Sequence, residues 1–405
     1  MPPPSNLMTR RSRRRLLLVV ALLICGTGVG AAMSFSWGLQ QDDNLQAIRS
    51  LAALDRGQQP RWDDTFEALL TARPAEKLRR AYGLSRYKFV RAEGHERVVI
   101  DARGASFIVA NSGNPNPTAE NDCKQGSDPV NPYPLSVTDS GNVTLIGGII
   151  VSRVPQTSDW LYTYCNSTAV HIRRSPGAVV DGIRIAGGWD GVRASEGSPH
   201  LLLKNSWLSD IRDDAVENDY LYSASVHDTL IDGAFQGISV KSSGSAVRNG
   251  LQETLVLSGV LLRLKEYPYR GRSRFGAVTK NEIASPAIQI RNSVIAVDYH
   301  GAESWRTYWI RSWSKMVDAK DNIFLWLSDD PMPESLPVPP KEAGFQFVSG
   351  AAARSIWDKA KQNWIDCHPK VARIPSDPGS EIRRCDRNYW GAGFAGHESG
   401  RGPRP

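Results

Sequence analysis

A repeat spacing constrains this chain more than any other feature. Stacking "STAVHIRRS", "WDGVRASEG", "DDAVENDYL", "FQGISVKSS" and "LLRLKEYPY" aligns Val170, Val192, Val216, Ile238 and Leu264, at intervals of 22, 24, 22 and 26 residues. A second apolar column follows at Val180, Leu202 and Val226, and a third at Ile185, Leu208, Ile231 and Leu257. Three short strands per repeat describe a coil that cannot bury its apolar face alone and must stack on its neighbours. A leucine-rich repeat would need a Leu/Asn consensus that is absent, and a propeller needs blades of about 40 residues. The expectation is an all-β, right-handed parallel β-helix over residues 96–330, interrupted late by "DYHGAESWRTYWIRS".

The flanks read differently. Residues 42–95, with "LQAIRSLAALDR" and "TFEALLTARPAEKLRRAYGL", space apolar residues at three and four and predict a helical cap over the solenoid's open end. Residues 331–405 read as a proline-rich connector, "DDPMPESLPVPPKEAG", then a helix, "AAARSIWDKAKQNWIDC", then a basic, glycine-rich tail.

The net charge of +7 invites a nucleic-acid reading until it is located along the chain. Arg10, Arg11, Arg13, Arg14 and Arg15 carry five of those charges ahead of the first acid, Asp42, which leaves +2 for the remainder and removes the support for nucleic acid. The arginines precede the uncharged stretch Leu16–Gly38, long enough to cross a bilayer. Residues 1–41 therefore read as a cytoplasmic stub with a membrane anchor, or as a cleaved signal peptide. Either puts the body in the periplasm or outside the cell. There cysteines pair, and the expected bridges are Cys123–Cys165 and Cys367–Cys385; no CxxC spacing suggests zinc. The oligomeric state is not legible.

Stacked strands sit about 4.8 Å apart, so equivalent positions on successive coils become neighbours. With the valine column inward, alternation sends His171, Arg193, Glu217, Ser239 and Lys265 outward, and two positions on, Arg173, Ser195, Asp219 and Lys241. Asn218 falls inward. The segment "RDDAVENDY" places four acids between Asp213 and Asp219 on this face. Mutual repulsion would hold one of them protonated, as a general acid requires. Aromatic residues at Trp160, Tyr162, Tyr164, Tyr220, Tyr222, Tyr267 and Tyr269 suit a saccharide partner.

The motifs "WDGV" (189–192), "DDAV" (213–216), "FQGISVKS" (235–242) and "RLK" (263–265) resemble, in order, the four motifs of the polygalacturonase family of glycoside hydrolases, pectin-lyase-like β-helix proteins. The resemblance covers residues 189–265. It implies Asp214 as general acid, Asp190 and Asp213 positioning a water, and Arg263 and Lys265 holding a substrate carboxylate. Gln236 stands where that family has histidine, and Ala215 where it has cysteine. Strict alternation from Val216 would bury Asp214, so this reading needs the strand to begin near Ala215; otherwise Glu217 and Asp219 are the catalytic candidates. The expected activity is inverting hydrolysis of an acidic or modified polysaccharide without a cofactor. A lyase or uronate epimerase using His171, Arg193, Lys241 and Lys265, with calcium as a possible ion, and a non-catalytic binding solenoid are the alternatives.

Overall fold

The computed structural model describes residues 75–77, 81–85, 90–103, 105–114, 133–242, 248–334, 336–339 and 344–372. The described residues are mostly β. Nine strands, from Ala75–Lys77 to Met316–Lys320, form one parallel sheet; a fifteen-stranded parallel sheet holds most of the rest. Each strand pairs with its equivalent one repeat earlier and one later, an arrangement consistent with a stacked parallel solenoid.

The fifteen-stranded sheet has two columns, joined because Trp207–Asn218 (12 residues) and Leu230–Val240 (11 residues) run through both. At the corner between the columns, Gly187, Asp210 and Gly233 occupy equivalent positions and all have positive φ, at 69°, 50° and 93°. Glycine takes this conformation without strain and aspartate tolerates it, so the chain turns here without leaving the ladder.

The inward column is as expected through four coils: Val170, Val192, Val216 and Ile238 are direct partners and nearly inaccessible. The fifth member is Thr279, not Leu264, which pairs with Ala234 in the neighbouring column. The displacement arises from an antiparallel hairpin, Tyr267–Tyr269 with Arg272–Phe275, inserted before the strand Thr279–Asn281. The other expected columns need smaller corrections. Val180 aligns with Leu203 rather than Leu202, because Leu202 faces Val179, and Leu257 joins Val226 in that column. Ile185, Leu208 and Ile231 continue instead into Leu262. Serines close the buried turns between coils: Ser140 N–H donates to Ser175 Oγ (3.1 Å) and Ser175 N–H to Ser198 Oγ (3.2 Å).

The flanks also differ from expectation. Ala75–Lys77, Ala81–Ser85 and Val90–Glu93, inside the expected helical cap 42–95, are strands paired with Val99–Asp101, Ser106–Val109 and Leu135–Thr138. Pairing to a preformed ladder outweighs a short three-four periodicity here. Residues 42–74 lie outside the described residues. The parallel pairing also continues past residue 330, because Phe345–Ser349 pairs with Asn322–Trp326. The expected C-terminal helix is present as Gly350–Cys367 and buries Ala353, Trp357, Ala360 and Trp364, one stripe at helical spacing. Its tail from residue 373 lies outside the described residues. So does Leu16–Gly38, and no helix among the described residues is long and apolar enough to cross a membrane.

Ile238 is fully buried in the shared column, so Ile238→Ala should cost about 2–5 kcal/mol in urea unfolding with an unchanged m-value. Ile283, 79% exposed, should cost under about 0.5 kcal/mol on the same change.

Candidate active-site cleft

A one-residue irregularity in the backbone places the acids. Ile211 pairs with Ala234, but Asp214 pairs with Gln236, so the strand Trp207–Asn218 carries one extra residue between them. Such a bulge breaks alternation and re-aims side chains. Ala215 and Val216 consequently both pack in the core, while Asp213 faces the cleft. The strand therefore does not begin at Ala215; it is continuous, and the bulge resolves the conflict between an inward Val216 and an available acid. Asp214 is the residue left covered, 1% exposed, with Oδ2 2.8 Å from Lys280 Nζ.

The outward column runs His171, Arg193, Glu217, Ser239 and then Lys280. Lys280 occupies the place expected of Lys265. Together with Asp190 and Asp213, the residues Arg193, Glu217, Asp219, Lys241 and Lys280 line one cleft of about 590 Å³. Several expected members lie elsewhere. Arg263 bridges Asp232 and Asp298 (2.6 Å each), and Lys265 donates to Asp210 (3.1 Å), both in the neighbouring column. Gln236 is fully buried, and its side-chain amide pairs with the N–H and C=O of Ala277 (3.2 and 2.5 Å). His171 sits one coil out, 2.9 Å from Ser195 Oγ and stacked on Tyr133 at 4.2 Å. Asn218 does face inward, where it brackets the backbone of Tyr222.

Two insertions wall the cleft. One is the short helix Trp160–Thr163; the other is the hairpin, whose two-residue turn Arg270–Gly271 has φ of 51° and 74°, as a tight twisted hairpin requires. Asp159 ties them together: Oδ1 accepts from Leu161 N–H (3.0 Å), capping the helix, and Oδ2 accepts from Gly271 N–H (2.8 Å). The buried Arg212 does the same from below, donating to the carbonyls of Ser158 and Pro268. The walls present Trp160, Trp189, Tyr269 and Trp305, with successive contacts of 5.5 Å for Trp160–Trp189, 5.1 Å for Trp160–Tyr269 and 5.0 Å for Tyr269–Trp305. Trp160, Tyr164 and Tyr269 were legible as aromatic candidates. Lys280, Asp159 and Arg212 were not, because their roles depend on the hairpin; the alternation around "YRGR" was the signal available for it.

The charges do not balance within the cluster. Five carboxylates, Asp190, Asp213, Asp214, Glu217 and Asp219, face three cations: the half-buried Arg193 and Lys280 and, acting on Asp213, the buried Arg212. Arg193 pairs with Asp219 at 2.6 Å and approaches Glu217 at 3.2 Å, and Lys280 pairs with Asp214. Burial, and then repulsion from Glu217, Asp213 and Asp214, pushes Asp190 well above the usual carboxylate range. Burial and Asp214 push Asp213 up to about 7, with Lys280 opposing. Burial pushes Glu217 up to about 8 against the pull of Arg193. Burial raises Asp214 too, with Lys280 opposing. For Lys280, burial disfavours the ammonium, but Asp214, Asp213 and Glu217 outweigh it and hold its proton affinity well above normal.

Asp190, Asp213 and Asp214 have carboxylate oxygens within 4.8 Å of one another, and Asp190 Oδ1 also accepts from Asp214 N–H (3.1 Å). Calcium would find three oxygens here, but one carboxylate already holds the Lys280 ammonium, which would repel a second cation. The residues therefore fit a built-in cation better than a bound one. Cys165 is buried and Cys367 half-buried; Cys123 and Cys385, the other halves of the expected bridges, lie outside the described residues. No family model, curated protein or solved structure matches this chain.

Carboxyls raised on folding favour the folded state only while both states are protonated. Their contribution is present below the ordinary values of 3.8 and 4.5 and is lost as pH climbs to about 7 for Asp213 and about 8 for Glu217. Thermal melts should therefore drop between pH 5 and pH 8, and Asp213→Asn or Glu217→Gln should flatten that drop. Parallel curves for wild type and both variants would show that these carboxyls ionise freely.

Proposed function

We propose that this chain is a right-handed parallel β-helix enzyme, polygalacturonase-like in its motif order, that hydrolyses glycosidic bonds of an acidic or modified polysaccharide. The observation that carries the reading is one cleft in which proton-holding carboxyls lie beside indole and phenol rings. The rings suit the apolar faces of sugars, and Lys241 and Arg270 at the rim suit an anionic substituent.

The chemistry needs a proton donor for the leaving oxygen and a base for water. Inverting pairs stand about 6.5–9.5 Å apart. The trio Asp190, Asp213 and Asp214, with oxygens inside 4.8 Å, is too close to supply both. Glu217 lines the cleft outside the trio and holds its proton to about pH 8, so it takes the donor role that the motif resemblance gives to Asp214. Asp213 ionises near pH 7 and serves as base, with Asp190 beside it to orient the water. Lys280 stabilises negative charge on the Asp213–Asp214 pair. In this reading the protein is exported, tethered through Leu16–Gly38, and closed by the two disulfides. A lyase gains support from one feature only, the Lys280 and Arg193 cations set among potential bases.

The full chain, purified in detergent and assayed on acidic polysaccharides, should release reducing ends without ultraviolet-absorbing unsaturated ends. Its rate should peak between about pH 7 and 8, rising as Asp213 ionises and falling as Glu217 deprotonates. Glu217→Gln should lower turnover by about 10²–10⁴-fold. Undiminished turnover in that variant removes Glu217 from the mechanism; unsaturated products establish a lyase, and binding without products a recognition module.

A further inference from the structure

The trio Asp190, Asp213 and Asp214 draws its counter-ion from the chain itself. Carboxylate oxygens of the three lie within 4.8 Å of one another, and among the described residues no other three metal-ligating side chains converge in this way. All three residues are buried, so water solvates little of their charge. Convergent, water-poor carboxylates are what an oxygen-seeking divalent cation needs. The ammonium of Lys280 stands there instead, 2.8 Å from Asp214 Oδ2.

The ladder shows how the lysine reaches this place. Lys280 faces Ser239 in register, and Ser239 faces Glu217, so Lys280 starts two strand spacings, about 9.6 Å, from the strand that carries Asp213 and Asp214. Its four-carbon stem can run back over the intervening strand because the residue in its path, Ser239, is small.

Two oxygens beside this ammonium have no hydrogen-bond partner among the described residues. One is Asp214 Oδ1; the other is Ser239 Oγ, on a residue that is 1% exposed and lines the cleft. A lysine offers three N–H donors and one charge, and it leaves both oxygens unmatched. Calcium takes about six to eight oxygens, carries two charges and accepts irregular geometry, so it would draw on them as well. We propose that Asp190, Asp213 and Asp214 form a divalent-cation seat in which the Lys280 ammonium stands in for the metal, and that the seat takes calcium once that ammonium is removed. The wild-type cleft is independent of calcium, because the seated ammonium repels a second cation at this range. Without it, five carboxylates face only Arg193 and Arg212, an imbalance that a divalent ion relieves. Cation binding is read without turnover, so its failure and that of the hydrolase reading are separable.

The test melts the full chain, wild type and Lys280→Ser, in detergent at about pH 8, where carboxylate ligands are free to bind metal, with millimolar calcium or with chelator. Calcium should raise the melting temperature of Lys280→Ser by about 3 °C or more and leave the wild type unmoved. Adding Asp214→Asn to Lys280→Ser should cancel most of that shift. An equal shift in wild type and variant would overturn the proposal, because the lysine then excludes nothing, and no shift in the variant would overturn it outright. A shift that survives Asp214→Asn would place the ion elsewhere and refute the seat. If Lys280→Ser does not fold in chelator, calcium should restore its folding. A chain that folds in neither condition, both as Lys280→Ser and as Lys280→Gln, would show that calcium cannot replace the ammonium.

Discussion

The hydrogen-bonded ladder between parallel strands fixes which side chains in this molecule can meet. Once Val192 faces Val216 and Val216 faces Ile238, the residues beside them, Arg193, Glu217 and Ser239, are neighbours whatever their chemistry. Sequence separations of about 22 residues collapse to one strand spacing, and charges that would avoid each other in solution are held at short range. The raised proton affinities of Asp190, Asp213 and Glu217 follow from that enforced proximity together with burial.

The same ladder explains what could be read from the sequence. Val170, Val192, Val216 and Ile238 were legible because their coils have nearly equal lengths, so stacking the text reproduces stacking in space. Leu264 failed because the fifth coil carries its hairpin between Lys265 and Thr279, and text alignment cannot distinguish a longer strand from an insertion. That single slip moved Arg263 and Lys265 out of the cleft and left Lys280 unnoticed. The bulge before Asp214 was equally hidden: its only trace in the sequence was the clash between a buried aspartate and strict alternation. At the N-terminal end, Ala75–Lys77 and Ala81–Ser85 fall in a stretch of helix-like periodicity but lie beside Val99–Asp101 and Ser106–Val109, whose edges offer backbone partners. The C-terminal helix was legible because its stripe of Ala353, Trp357, Ala360 and Trp364 is long enough to outweigh any alternative.

The cleft combines a cost with its compensation on one strand. Five carboxylates against three cations, Arg193, Arg212 and Lys280, destabilise the folded chain at neutral pH unless some keep their protons, and keeping a proton at neutral pH is what a general acid must do. Arg193 and Lys280 pair with Asp219 and Asp214; Asp214 is covered, 1% exposed, and Asp219 lines the cleft with Arg193 held against it. Burial then raises Asp190, Asp213 and Glu217, all of which line the cleft, in Glu217 against the pull of Arg193.

Position along the solenoid completes the argument. The two longest strands among the described residues, Trp207–Asn218 and Leu230–Val240, are those that turn the corner without a break, and the bulged one carries the acids. A strand continuous through a corner is anchored by hydrogen bonds on both sides, so a local distortion there can persist without unravelling the coil. The insertions that wall the cleft, by contrast, lie outside the two large sheets: the hairpin pairs only within its own three-stranded sheet with Glu303–Ser304, and Asp159 and Arg212 link it to the short helix. Ladder and insertions divide the work: the proton inventory is set by the stacking, and the shape of the cleft mouth by the hairpin and the short helix.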